Sequence, residues 1–234
     1  MVRDPGYGRR LLVSEVEQIV ARRPLGAVIS CTAMKTPASS KPNDVRTHIL
    51  LNGQRSMARK GFSAVGLNEI LTAAGVPKGS FYHYFGSKDA FGEAMLKAYF
   101  DAYLADTDTI LETPGLNMAE RLMRYWQSWR ENQSYSECQG KCLAVKLGAE
   151  VADLSEPMRM ALNEGTAGVI DRLANAIKAG IAEGSLSTSG EPIDIAQSLY
   201  QLWLGASVMA KIQRSMQPFD SALSATRQAL HISI

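Results

Sequence analysis

The chain has 234 residues, 46% of them apolar, with no charge-free apolar run of the roughly eighteen residues needed to cross a bilayer and no secretory leader, so a membrane-spanning or exported protein is set aside and a cytoplasmic one expected. Three cysteines are too few for a disulfide framework, and His48, His83 and His231 lack metal-ligand spacing. The net charge of +2 conceals an asymmetry, because residues 1–88 carry 13 Lys/Arg against 5 Asp/Glu while residues 89–234 carry 12 against 18; the first part suits a polyanion and the second avoids one.

Residues 1–43 read as an N-terminal arm. Leu12, Val16, Ile19 and Val20 have helical spacing, Pro24 ends that pattern, and a linker-like stretch runs on to Asp44. Either this is a basic arm without fixed structure, or translation starts at Met34; the second reading is preferred. From Asp44 to Lys60, Val45, Ile49, Leu50 and Met57 form one apolar face, with Arg46, Arg55, Arg59 and Lys60 outside it, predicting an amphipathic helix closed by Gly61.

Leu67, Ile70, Leu71 and Ala74 then recur at i, i+3, i+4 and i+7, a two-turn helix stopped by Gly75. Val76 is turned away from helix by Pro77, which opens a second helix to about Tyr84. Lys78, Gly79 and Ser80 lie at its N-terminus, where unpaired N–H groups favour phosphate and short side chains permit close approach to base edges. Tyr82, His83 and Tyr84 can donate to phosphate oxygens, while Phe81 and Phe85 are assigned to packing. Ser87 caps the next helix and Lys88 opens it. A short aromatic core helix is the plainer alternative, but helix, glycine turn, Pro-Lys-Gly-Ser start, aromatic run and Ser-Lys restart together spell a helix-turn-helix suited to DNA.

The rest reads as helix throughout, an all-α chain. Ser87 to about Glu112 turns Phe91, Met95, Leu96, Tyr99, Phe100, Tyr103 and Leu104 inward and joins the helix-turn-helix to the second half of the chain. Asn117 and Glu120 form a capping box opening a helix to about Gln133, and a polar loop spans Ser134 to Gly140. Further helices are predicted for Cys142–Leu154, Ser155 to about Glu183, Glu191–Ser215 and Pro218 to about His231. Residues 195–210 carry no charged side chain, predicting a helix buried nearly all round, more than one chain covers by itself.

From Asp44 to the C-terminus these residues resemble the TetR family of transcriptional repressors. Within it, CLAVKLGAEVADLSEPMR from Cys142 and LWLGASVMAKIQRS from Leu202 look most like the NemR branch, which represses genes for enzymes that reduce electrophiles. The resemblance implies a three-helix DNA-binding domain over 44–88, a helical ligand-sensing and dimerisation domain over 89–234, and a homodimer formed through the last two helices. It implies a palindromic double-stranded operator as partner, with Lys78 and Gly79 near bases and Tyr82, His83, Tyr84 and Lys88 near phosphates. One departure is Gly66-Leu67, where the family often has a threonine able to contact phosphate.

Cys142, at a helix start beside Lys141 and Lys146, is predicted to have a depressed pKa and to ionise near neutral pH. A small core residue beside Leu143 and Val145 is the alternative, and the resemblance turns the reading toward sensing of an electrophile or oxidant. Cys138 is a candidate resolving thiol; Cys31 lies in the arm. Lys211 either snorkels at a helix end or faces Cys142 across the core. Trp126, Trp129 and Trp203 line an effector pocket or fill the core. The inducer is thus a reactive small molecule or, alternatively, a non-covalent ligand. No residue pattern calls for a cofactor or metal, and a thiol-dependent redox enzyme is the weaker competing function.

Overall fold

The computed structural model describes residues 42–132 and 142–232. Expectations for the arm, including Cys31 and Met34, and for the loop bearing Cys138 and Lys141, lie outside the described residues. Helices α1 (Pro42–Lys60), α2 (Leu67–Ala74), α3 (Lys78–Tyr84), α4 (Lys88–Leu111), α5 (Met118–Asn132), α6 (Leu143–Leu154), α7 (Glu156–Ala182), α8 (Pro192–Gln213) and α9 (Gln217–Ala229) follow in order. Among the described residues there is no strand.

The helix ends follow local chemistry. Ser87 Oγ accepts from the Ala90 N–H at 3.0 Å, an N-cap worth about 1 kcal/mol. Asn117 and Glu120 exchange side-chain and backbone bonds of 2.8 and 2.9 Å, the reciprocal box read from their spacing.

Buried side chains gather in two clusters. One joins α1 to α3 with the first half of α4, with Leu143, Leu147 and Val151 of α6, and with Met158, Ala161 and Leu162 of α7. The other joins α5, the later part of α7, α8 and α9. Helix α4 runs between them, and Tyr103 touches both. Close packing of α4 on α7 needs Gly165, where a Cβ would fall 2.1 Å from Phe100. Arg172 clasps Asp108 with bonds of 2.6 and 3.0 Å, tying the same two helices at their polar edge.

Helix α8 departs from the expected all-round burial. Ala196, Leu199, Tyr200, Trp203, Ala206, Ser207 and Ala210 are buried, but Leu202, Val208, Met209 and Ile212 stand exposed along its other side. The uncharged sequence therefore reflects two apolar faces, of which this chain covers one.

Candidate functional site

The end of α2 aims α3. Gly75 adopts φ 62°, which costs an L side chain but not glycine. Its N–H reaches the Thr72 carbonyl at 3.2 Å and that of Val76 the Leu71 carbonyl at 3.1 Å, the paired bonds of a Schellman end. Pro77 lies just outside α3 as its N-cap, so the helix begins at Lys78, one position after the predicted start. The inner face of α3 is fixed by Phe81, fully buried with its ring 5.3 Å from Phe85 and 5.4 Å from Phe91.

With Phe81 inward, Lys78, Gly79, Tyr82 and His83 face solvent, and Ser80 and Tyr84 are half-buried. Lys78 Nζ lies 5.9 Å from the Tyr82 ring centre, so cation and phenol form one exposed surface. Arg55, Arg59 and Lys60 are exposed on α1. Gly66 caps α2 without a side-chain bond, leaving backbone N–H groups there, as the departure at Gly66-Leu67 implied. Lys88 is placed differently from its neighbours: Nζ donates to the Phe62 carbonyl at 2.8 Å and sits 4.4 Å over the Phe62 ring, so in the free protein it holds the turn before α2.

Cys142 is the N-cap of α6 and is buried. Burial pushes its thiol above the ordinary value, the reverse of the predicted depression. The N–H groups of Val145 and Ala144, the Tyr99 hydroxyl and the charge of Lys211 all favour the thiolate, but together they do not offset desolvation. Lys211, exposed near the end of α8, adds the only cationic charge among these influences, and it is the weakest of them. Burial in turn lowers the Lys211 pKa, the nearby thiol raises it, and Lys146 lowers it. Tyr99, whose phenol is pushed well up by burial and by Cys142, has no signal in the sequence as a thiol partner; its spacing marks it only as inward-facing.

The tryptophans do not line an opening. Trp126 and Trp203 stack with centroids 4.9 Å apart, Trp129 lies 5.9 and 6.1 Å from them, and all three are buried. Trp129 donates to Ser207 Oγ and Trp203 to Thr226 Oγ1, each at 3.0 Å, whereas the buried Trp126 Nε1 has no hydrogen-bond partner. All three tryptophans belong to the second cluster.

Residues 49–95 match the model of the bacterial regulatory proteins of the tetR family, and residues 119–226 that of the tetracyclin repressor-like C-terminal domain. The HTH-type transcriptional repressor NemR of Escherichia coli (strain K12) is 44% identical over 182 residues, covering 78% of this chain and 92% of that protein. The transcriptional regulator AcuR of Cereibacter sphaeroides is 35% identical over 174 residues, covering 72% and 77%. The crystal structure of E. coli NemR in its reduced form superposes with a TM-score of 0.77, covering 80% of this chain and 97% of that one. A helix-turn-helix carrying an exposed Lys-Gly start, followed by a helical half that matches the same family, has one reading: the chain belongs to the TetR family and is a DNA-binding transcriptional repressor, not an enzyme.

Proposed function

We propose that this repressor binds a palindromic operator as a homodimer and releases it when a reactive electrophile or oxidant modifies Cys142. The burial of Cys142 at the N-terminus of α6, where the Val145 and Ala144 N–H groups, the Tyr99 hydroxyl and the charge of Lys211 each favour its anion, supports this reading. A core cysteine needs none of these partners, whereas a thiolate formed transiently is stabilised by all of them. That the solved E. coli relative is described in a reduced form supports a redox role. Modification adds bulk at a packed helix start, and packed cores respond by changing arrangement rather than deforming smoothly.

Residues 44–88 act as the reading unit and residues 89–234 as the regulatory and dimerising unit. Lys78 and Gly79 approach bases, Ser80 and the α3 N-terminus approach phosphate, and Tyr82, His83 and Tyr84 contact phosphates; Lys88 does so only by leaving Phe62. The exposed apolar row Leu202, Met209 and Ile212 on α8 meets the same row of a second copy. Two reading heads then engage half-sites roughly 34–36 Å apart. Among the described residues no helix is long and apolar enough to cross a membrane, in keeping with a cytoplasmic regulator.

The test uses a duplex selected from random sequence by the parent protein. N-ethylmaleimide or hypochlorite should release the parent from it, and Cys142→Ser should bind equally well but ignore both reagents. Release of Cys142→Ser as readily as the parent would exclude sensing through this thiol and favour a non-covalent inducer.

A further inference from the structure

One carboxylate of the regulatory half reaches into the reading unit. Glu150, on α6, accepts from the N–H of Phe62 at 3.0 Å and from that of Ser63 at 2.7 Å, across 88 and 87 residues of sequence. Phe62 and Ser63 form the turn between α1 and α2, immediately ahead of the helix-turn-helix. The Phe62 carbonyl is meanwhile held by Lys88 at the start of α4, so this residue is gripped through both its N–H and its C=O. Approach from α6 depends on Gly61, at φ 95°, where a Cβ would lie 2.8 Å from Glu150 Oε2. Burial disfavours the Glu150 anion, yet the bonds from Ser63 and Phe62 and the charge of Lys146 outweigh it and hold the carboxyl below its usual value. The apolar side of α6, Leu143, Leu147 and Val151, is buried in the cluster that holds Ile49, Met57 and Phe62, so the helix stays docked without the carboxylate.

We propose that Glu150 is a positioning residue for operator recognition, through which the helix beginning at Cys142 sets the Phe62–Ser63 turn and so the pose of α2 and α3. Glu150 touches no DNA. It fixes two amides at the hinge of the reading unit, and a shift of α6 moves both. The positioning role rests on the chain being a DNA-binding repressor; transmission from the thiol rests in addition on the Cys142 reading.

The experiment measures affinity for the selected duplex and for an unrelated duplex of equal length, in parent, Glu150→Ala and Glu150→Gln. Glu150→Ala should lose about tenfold on the selected duplex, a common size for coupling between sites, and change less than about twofold on the unrelated one. Glu150→Gln, which keeps one acceptor oxygen, should lie between. Unchanged affinity for the selected duplex, or an equal loss on both duplexes, overturns the proposal, the latter marking a merely structural side chain. If circular dichroism shows Glu150→Ala unfolded, the same ratio in Glu150→Gln decides. A separate arm compares each protein before and after N-ethylmaleimide: the loss seen in the parent should shrink to about twofold or less in Glu150→Ala, below the roughly fivefold at which coupling between sites begins. A parent indifferent to the reagent defeats the Cys142 reading alone, because the two-duplex ratio still judges Glu150.

Discussion

Tyr99 on α4 and Cys142 at the head of α6 meet in the core, the phenol hydroxyl acting on the sulfur as a donor that favours the thiolate. The contact joins the helix leading out of the reading unit to the helix that carries the thiol. Tyr99→Phe removes the donor while keeping the ring. It should slow alkylation of Cys142 at neutral pH by up to about fivefold, since one neutral hydrogen bond is worth roughly 1 kcal/mol, and leave operator affinity before alkylation unchanged. Lys211→Ala should slow it too. Stopped-flow alkylation followed by mass spectrometry of the Cys142 peptide checks both; equal rates in parent and variants would separate these groups from the thiol.

Alkaline pH should destabilise the fold. Burial raises the Cys142 thiol above its ordinary 9.0 and the phenols of Tyr99 and Tyr103 well above their ordinary 10.0, with Tyr125 and Tyr200 also raised. The folded state therefore holds these protons after the unfolded chain has released them. This contribution is complete below the unfolded values and is lost progressively as pH rises past about 9. Thermal unfolding from about pH 8 to about pH 11 should show a falling midpoint, less steep in Cys142→Ser. A midpoint flat across that range would contradict the burial of these groups.

Gly79 separates folding from binding. A methyl there would meet no heavy atom within 4 Å, so nothing in the free fold requires glycine. Gly79→Ala should keep or raise the melting temperature, alanine being about 0.5–1 kcal/mol better within a helix, and yet weaken operator binding where α3 approaches the bases. Lys78→Ala should relax base preference by roughly 1–3 kcal/mol if the lysine reads a base, whereas Tyr82→Phe should weaken all sequences alike. Full operator affinity in all three variants would remove α3 from the interface.

Trp203 is fully buried, stacked on Trp126 and bonded to Thr226. Trp203→Ala should cost about 3–5 kcal/mol of stability, the usual loss for a large core aromatic. Chemical denaturation measures it; a loss below about 1 kcal/mol would mean that the site is an open pocket after all.

Much of the fold was legible because its signals are short-range. Gly75, Pro77, the Ser87 cap and the Asn117–Glu120 box each act over a few residues, and the apolar period of α1, α2 and α4 names their inner faces, so helix order and the exposed side of α3 could be read directly. What the sequence could not carry was decided by packing between distant segments. Cys142 looked activated because a helix start is a local feature, but the sign of its shift depends on how deeply the folded chain buries it. Trp126 and Trp129 share helical spacing whether they line a cavity or fill the core, and only α5 and α8 coming together stacked Trp203 on Trp126. Glu150 on the Phe62–Ser63 turn left no mark at all, since a contact 87 or 88 residues apart obeys no period and exists only once α6 docks on α1.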